Sequence, residues 1–157
     1  AGLQAAHHKD VVHRDIKTDN LFILDTGEVK IMDFGVAKHQ SSPGLTVTGV
    51  LGGTPAYMAP EQVMDFGRVT AAADQYSLGV VAYQMFTATL PFQHEEMMPL
   101  LMMHVQAPIP PPSERVPGMP RSLEKVIVRM MAKDPSDRFP SCLEASRALR
   151  QVLRDLP

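Results

Sequence analysis

The stretch His13-Arg14-Asp15-Ile16-Lys17-Thr18-Asp19-Asn20 concentrates charged and polar groups in a segment without helical or strand periodicity. From Val11 to Asn20 the sequence has the character of a functional loop. It puts an Asp, a Lys two residues on and an Asn five residues on close together. A carboxylate can orient an attacking hydroxyl and accept its proton. An ammonium can face a transferring phosphate, and hard oxygens can ligate Mg²⁺. These requirements of phosphoryl transfer meet in one octapeptide.

Downstream of the loop, Leu21–Leu24 and Val29–Met32 are short β-type runs, and Asp25-Thr26-Gly27-Glu28 between them supplies hairpin turn chemistry. Asp33-Phe34-Gly35 follows the second run directly. Asp33 is placed there to offer a hard anionic ligand at a strand end, and Gly35 lets the backbone turn away. Residues 36–56 predict a long loop without helical periodicity, a kind that is usually functional in compact domains. Gly53-Thr54-Pro55-Ala56-Tyr57-Met58-Ala59-Pro60-Glu61 closes it.

The flanks read as helices. Residues 1–8 predict the end of one, with Leu3 and the alanines on its apolar side. Asp74–Ala88 is apolar on nearly every side, which predicts a buried central helix. Glu95–Gln106 predicts another, whose Met97, Met98, Met102 and Met103 suit core or semi-exposed packing better than a docking surface. Pro108–Pro112 breaks it and suits a rigid connector better than a polyproline ligand. Leu123, Val126, Ile127, Met130 and Met131 share one helical face. Ser141-Cys142-Leu143-Glu144 has the pattern of a capping box opening a last helix that runs to about Leu153. The expected fold class is therefore α+β, mainly helical, with a small β-hairpin.

Bulk properties narrow the function. The 157 residues suit one domain, with 45% hydrophobic and 20% charged residues. A net charge of -2 offers no basic stripe for nucleic acid and no polybasic tail for lipid. The single cysteine, Cys142, excludes an internal disulfide, fits a reducing compartment and suits a small buried hydrophobe. No apolar run approaches the ~20 residues needed to cross a bilayer. His7, His8 and His13 do not have a recognised zinc spacing.

Taken together, His13-Arg14-Asp15, Asp33-Phe34-Gly35 and Ala59-Pro60-Glu61 resemble the signature set of the protein kinase family, in the right order and at the right intervals. Asp74-Gln75-Tyr76-Ser77-Leu78-Gly79 and Asp134-Pro135-Ser136-Asp137-Arg138-Phe139 extend the resemblance over the chain. The wording is most similar to bacterial kinases of the eukaryotic-like serine/threonine class. The resemblance implies a kinase C-lobe over residues 1–157, with an activation segment at 33–61. It implies ATP and Mg²⁺ as cofactors and Ser/Thr hydroxyls of proteins as acceptors. Asp15, Lys17 and Thr54 would then be catalytic; Lys17, Asn20, Phe22 and Asp33 would contact the nucleotide; and Asn20 and Asp33 would hold the metal. Leu21, Phe22 and Ile23 would form the floor under the adenine. His13 and Phe34 would belong to the stacked spine, Glu61 would pair with Arg138, and Asp74 would hold the catalytic loop. Lys17 and Thr54 fit the serine/threonine pattern rather than the tyrosine one.

Arg14, beside Asp15, makes Thr46 and Thr48 expected autophosphorylation sites, with Ser41 and Ser42 as further candidates. Thr18 stands where relatives usually carry Pro, and Gln75 where an apolar residue is frequent. The sequence contains no glycine-rich loop, no Val-Ala-x-Lys strand and no partner glutamate. The N-lobe is therefore expected to be absent from this chain and to be its missing partner, leaving these residues alone with little or no activity. The expected location is cytoplasmic, with no membrane contact from this segment, although a longer parent could be anchored elsewhere. The alternative reading is an inactive truncated kinase that serves as a binding module. A small-molecule phosphotransferase fits less well, because such enzymes do not usually carry the Ala-Pro-Glu anchor.

Overall fold

The computed structural model describes residues 2–34, 53–65, 67 and 69–155. A short helix α1 (Gly2–His7) leads into the loop, which closes in a 3₁₀ turn at Thr18–Asn20. Strands β1 (Leu21–Ile23) and β2 (Val29–Ile31) form an antiparallel pair in the register Leu21–Ile31, Phe22–Lys30, Ile23–Val29. Helices then take over: α2 (Pro60–Met64), α3 (Ala71–Thr87), α4 (Met97–Gln106), α5 (Pro112–Arg115), α6 (Arg121–Met130) and α7 (Cys142–Arg154). This is the α+β, mainly helical architecture that the sequence predicts.

Helix α3 is the axis of the core. It begins three residues before the expected Asp74, because the Thr70 hydroxyl caps it by accepting from the Ala72 N–H. Tyr76, Val80 and Tyr83 on it are fully buried. Helix α6 packs along it through the predicted face of Leu123, Val126, Ile127 and Met130, all buried, with Met131 just beyond the helix end. The close approach falls at Gly79, where an added Cβ would lie 2.7 Å from Met131 Cγ. Helix α7 closes the far side. Ser141 caps it by accepting from the Glu144 N–H, while the Glu144 carboxylate meets Arg147, so half of the expected capping box forms. Cys142 is buried, and burial pushes its thiol up to about 12, as befits a small hydrophobe.

The structure divides the α4 methionines and corrects the expectation that the alanines of α1 share its apolar side. Met97, Met98 and Met102 are exposed, and of the four α4 methionines Met103 alone packs against the core. The core side of α4 is taken by Leu101 and His104 instead. Ala5 of α1 is exposed as well, so Leu3 carries that helix's burial. On the hairpin, Phe22, Ile23 and Val29 are more than half exposed.

His104 is completely buried and shares a hydrogen bond of 2.9 Å with the Tyr76 hydroxyl through Nδ1. Burial first, and the nearby Lys133 ammonium second, lower its pKa from 6.5 to about 4. The unfolded chain therefore takes up this proton near pH 6.5, whereas the folded chain holds it off until about 4. Stability is expected to fall as the pH drops through that window, by about 1.4 kcal/mol per pH unit. Urea titrations between pH 7 and 4 would read this slope, and His104→Gln should flatten it.

Candidate active site

The loop between α1 and β1 is held from beneath by Asp74, which the first turn of α3 carries into the core. Its carboxylate accepts from the backbone N–H of His13 and of Arg14, both at 2.8 Å, and from His7 Nε2 at 2.7 Å. A carboxylate with three donors repays the cost of its own burial and sets the loop's height above the helix. His7 is thus a supporting residue, in a role the sequence reading did not assign to it. Arg14 is buried with φ +67°, a left-handed conformation that a bulky residue adopts only where its surroundings over-determine it. Its carbonyl accepts from Gln62 Nε2 at 2.9 Å, and Gln62 Oε1 accepts from the Ala59 N–H at 3.1 Å.

This placement aims the next side chains at one point. Asp15 Oδ1 accepts from the Thr54 N–H at 2.8 Å and from the Thr54 hydroxyl at 2.9 Å. Lys17 Nζ donates to Thr54 Oγ1 at 2.9 Å and lies 3.4 Å from Asp15 Oδ2. Thr54 can reach both because Gly53 precedes it at φ +142°, where a Cβ would press on the Arg14 carbonyl at 3.2 Å. Asn20 Nδ2 donates to the Asp15 carbonyl at 2.8 Å and reaches its Oδ2 at 3.4 Å. The Asn20 amide nitrogen is thereby committed, and its oxygen is the end left for a cation. Asp15, Lys17, Asn20 and Thr54 are thus brought together.

Asp33 stands just past β2, exposed, with φ +60°. Phe34 packs edge-on against His13, with ring centroids 4.7 Å apart. The His13 ring is fixed as the Nε2–H tautomer: that atom donates to the Met32 carbonyl at 2.8 Å, while Nδ1 accepts from the Asp15 N–H at 3.3 Å. One imidazole therefore ties the catalytic-type loop to the end of β2. Phe22 presents an exposed ring on the hairpin. Gly35, Ser41, Ser42, Thr46 and Thr48 lie outside the described residues.

The Ala59-Pro60-Glu61 end is anchored from far along the chain. Arg138, fully buried, forks onto both oxygens of Glu61, at 2.7 and 2.9 Å. The same guanidinium donates to the carbonyls of Ala72, Ala132 and Lys133. Gln75 adds a second clasp: its amide donates to the Phe139 carbonyl and accepts from the Phe139 N–H, each at 2.9 Å. A polar residue is therefore at home at this buried position. Thr18 meets the Tyr57 hydroxyl at 3.1 Å, and Tyr57 in turn donates to Gln84 at 2.7 Å. Gln62 and Gln75, like His7, are supporting residues whose roles sequence reasoning missed, and only the place of Gln62 next to Ala59-Pro60-Glu61 and of Gln75 within Asp74–Gly79 could have signalled the two glutamines.

The geometry now stands beside known proteins. The model of the protein kinase domain matches residues 1–151. Serine/threonine-protein kinase Pkn1 of Myxococcus xanthus is 44% identical over 98% of this chain and 23% of its own length. Serine/threonine-protein kinase PknL of Mycobacterium tuberculosis is 34% identical over 99% of this chain and 39% of its own. Tyrosine-protein kinase MasK of Myxococcus xanthus is 38% identical over 97% of this chain and 23% of its own. The chain thus spans well under half the length of these relatives. Among the described residues no helix is long and apolar enough to cross a membrane.

Proposed function

Because this chain belongs to the protein kinase family, we propose that it is the catalytic lobe of a serine/threonine protein kinase, which transfers the γ-phosphate of ATP to Ser or Thr hydroxyls of proteins. The kinase domain would run through residues 1–157, with the activation segment at 33–61. The observation that carries this reading is the Asp15 carboxylate, oriented by two bonds from Thr54 and flanked by the Lys17 ammonium.

In this reading, Asp15 Oδ2 faces the acceptor hydroxyl and takes its proton, since Oδ1 is already occupied by Thr54. Thr54 prevents the carboxylate from rotating. Lys17 holds positive charge where the transferred group's oxygens gather. The donor set fits Mg²⁺: the Asn20 amide oxygen and the Asp33 carboxylate are hard oxygens next to that carboxylate's loop. Asn20 and Asp33 would hold Mg²⁺, which would supply positive charge against the nucleotide's phosphates. Phe22 offers an apolar surface suited to the adenine, and Lys17 an ammonium suited to the phosphates. In this reading the lobe works in the cytoplasm, where ATP and protein acceptors are at hand, and a net charge of -2 does not favour nucleic acid.

The test is phosphoamino-acid analysis of the full-length protein incubated with radiolabelled ATP, Mg²⁺ and a mixed protein substrate. The expected products are phosphoserine and phosphothreonine, lost when Mg²⁺ is chelated. Phosphotyrosine alone would replace the serine/threonine reading with the activity in MasK's name. No transfer at all would favour a binding module built on the kinase fold.

A further inference from the structure

Away from the Asp15 loop, a cavity of about 520 Å³ opens between the segment following α3 and the proline-rich end of α4. Leu90, Phe92, Met103 and Pro108 supply apolar walls, and Thr89 and Arg115 stand at the polar edge. Its volume lies in the range of small-molecule sites, which combine apolar walls with a few converging polar groups. Among the described residues that line it, Arg115 is the one that is charged, and none is Asp or Glu. The guanidinium is positioned from α5: its Nη1 donates to the Thr89 hydroxyl and, at 2.9 Å, to the Leu90 carbonyl. It also lies 5.4 Å from the centre of the Tyr83 ring. Among the described residues it makes no ion pair, so its charge is not already spent on a carboxylate.

We propose that this cavity binds a small amphipathic monocarboxylate, with its hydrocarbon body against Leu90, Phe92 and Met103 and its carboxylate on the Arg115 guanidinium. An apolar floor alone would accept any greasy molecule. The guanidinium, which makes no ion pair among the described residues, selects an anion because its positive charge is left to meet a carboxylate. None of the lining residues belongs to the Asp15 constellation, so this site stands apart from the phosphotransfer reading.

The test uses the full chain labelled with methyl-¹³C methionine and titrated with decanoate below its micelle concentration. The Met103 methyl signal is expected to shift saturably while that of Met32, exposed on the hairpin, stays in place. Arg115→Gln should weaken binding about tenfold or more. Decanol, with the same chain and no charge, should bind the unaltered protein correspondingly more weakly, a comparison that needs no variant to fold. The proposal is overturned by an unsaturable or absent Met103 shift, by equal binding of decanol and decanoate, or by an undiminished Arg115→Gln. Matching shifts at Met32 would equally overturn it, as would saturation by a capped Leu-Phe-Asp peptide but not by decanoate, which would assign the cavity to a protein partner.

Discussion

Asp15→Asn in the full-length protein is expected to lower kcat for phosphotransfer by about 10³-fold, with KM for ATP little changed. The substitution keeps the shape and the oxygen that accepts from Thr54, so the loop should stay where Asp74 holds it. It removes the negative charge facing Lys17 and the group that takes the hydroxyl proton. Steady-state kinetics on a Ser/Thr peptide, with nucleotide affinity measured separately, would check both halves. A loss confined to KM would show that Asp15 binds rather than acts, and unchanged kinetics would remove it from the mechanism. Thr54→Val makes a useful companion. It keeps the backbone bond at 2.8 Å but deletes the hydroxyl that bridges Asp15 and Lys17, so it should fall between Asp15→Asn and the unaltered protein.

Arg138→Leu is expected to cost this chain about 3–5 kcal/mol of stability, the usual effect of breaking a buried ion pair by removing one partner. The loss does not come from Coulomb attraction alone. The variant strands the Glu61 carboxylate and takes a donor from the carbonyls of Ala72, Ala132 and Lys133. Leucine fills much of the volume but satisfies none of them, and an unmet buried acceptor costs more than a made bond contributes. Urea unfolding followed by circular dichroism would read the change. Arg138→Lys should recover little, because a point-charge ammonium cannot fork onto Glu61 while also reaching the carbonyls. A loss below about 1 kcal/mol would mean that the pair behaves like an exposed surface bridge.

Local signals carried much of the molecule. The hairpin followed from two β-type runs around Asp25–Glu28, and α6 from the spacing of Leu123, Val126, Ile127 and Met130, because each pattern reports a neighbour a few residues away. Helix α7 followed from the Ser141 cap for the same reason. The α4 methionines could not be read this way. Four thioethers in one stretch suit core and semi-exposed packing alike, and the buried side of that helix went to Leu101 and His104. Which face of a helix turns inward depends on the surface it meets, and that surface is contributed by distant segments.

The same division runs through the candidate site. The chemical types were legible in His13–Asn20, Asp33-Phe34-Gly35 and Ala59-Pro60-Glu61, because the carboxylate, amide and ammonium that phosphoryl transfer needs lie within a few residues of one another. Their aim was not legible. The Thr54 bond to Asp15 spans 39 residues, the His13 bond to Asp74 spans 61 and the Arg138 fork onto Glu61 spans 77. Gln62 and Gln75 look like ordinary polar residues until burial forces each amide to find partners, on Arg14 and Ala59 for one and on Phe139 for the other. Residue identity settles which reactions are available to a loop. Where each oxygen points is decided by the packing of α2, α3 and the Arg138 segment, because an unpaired polar group in that interior is too costly to leave unmet.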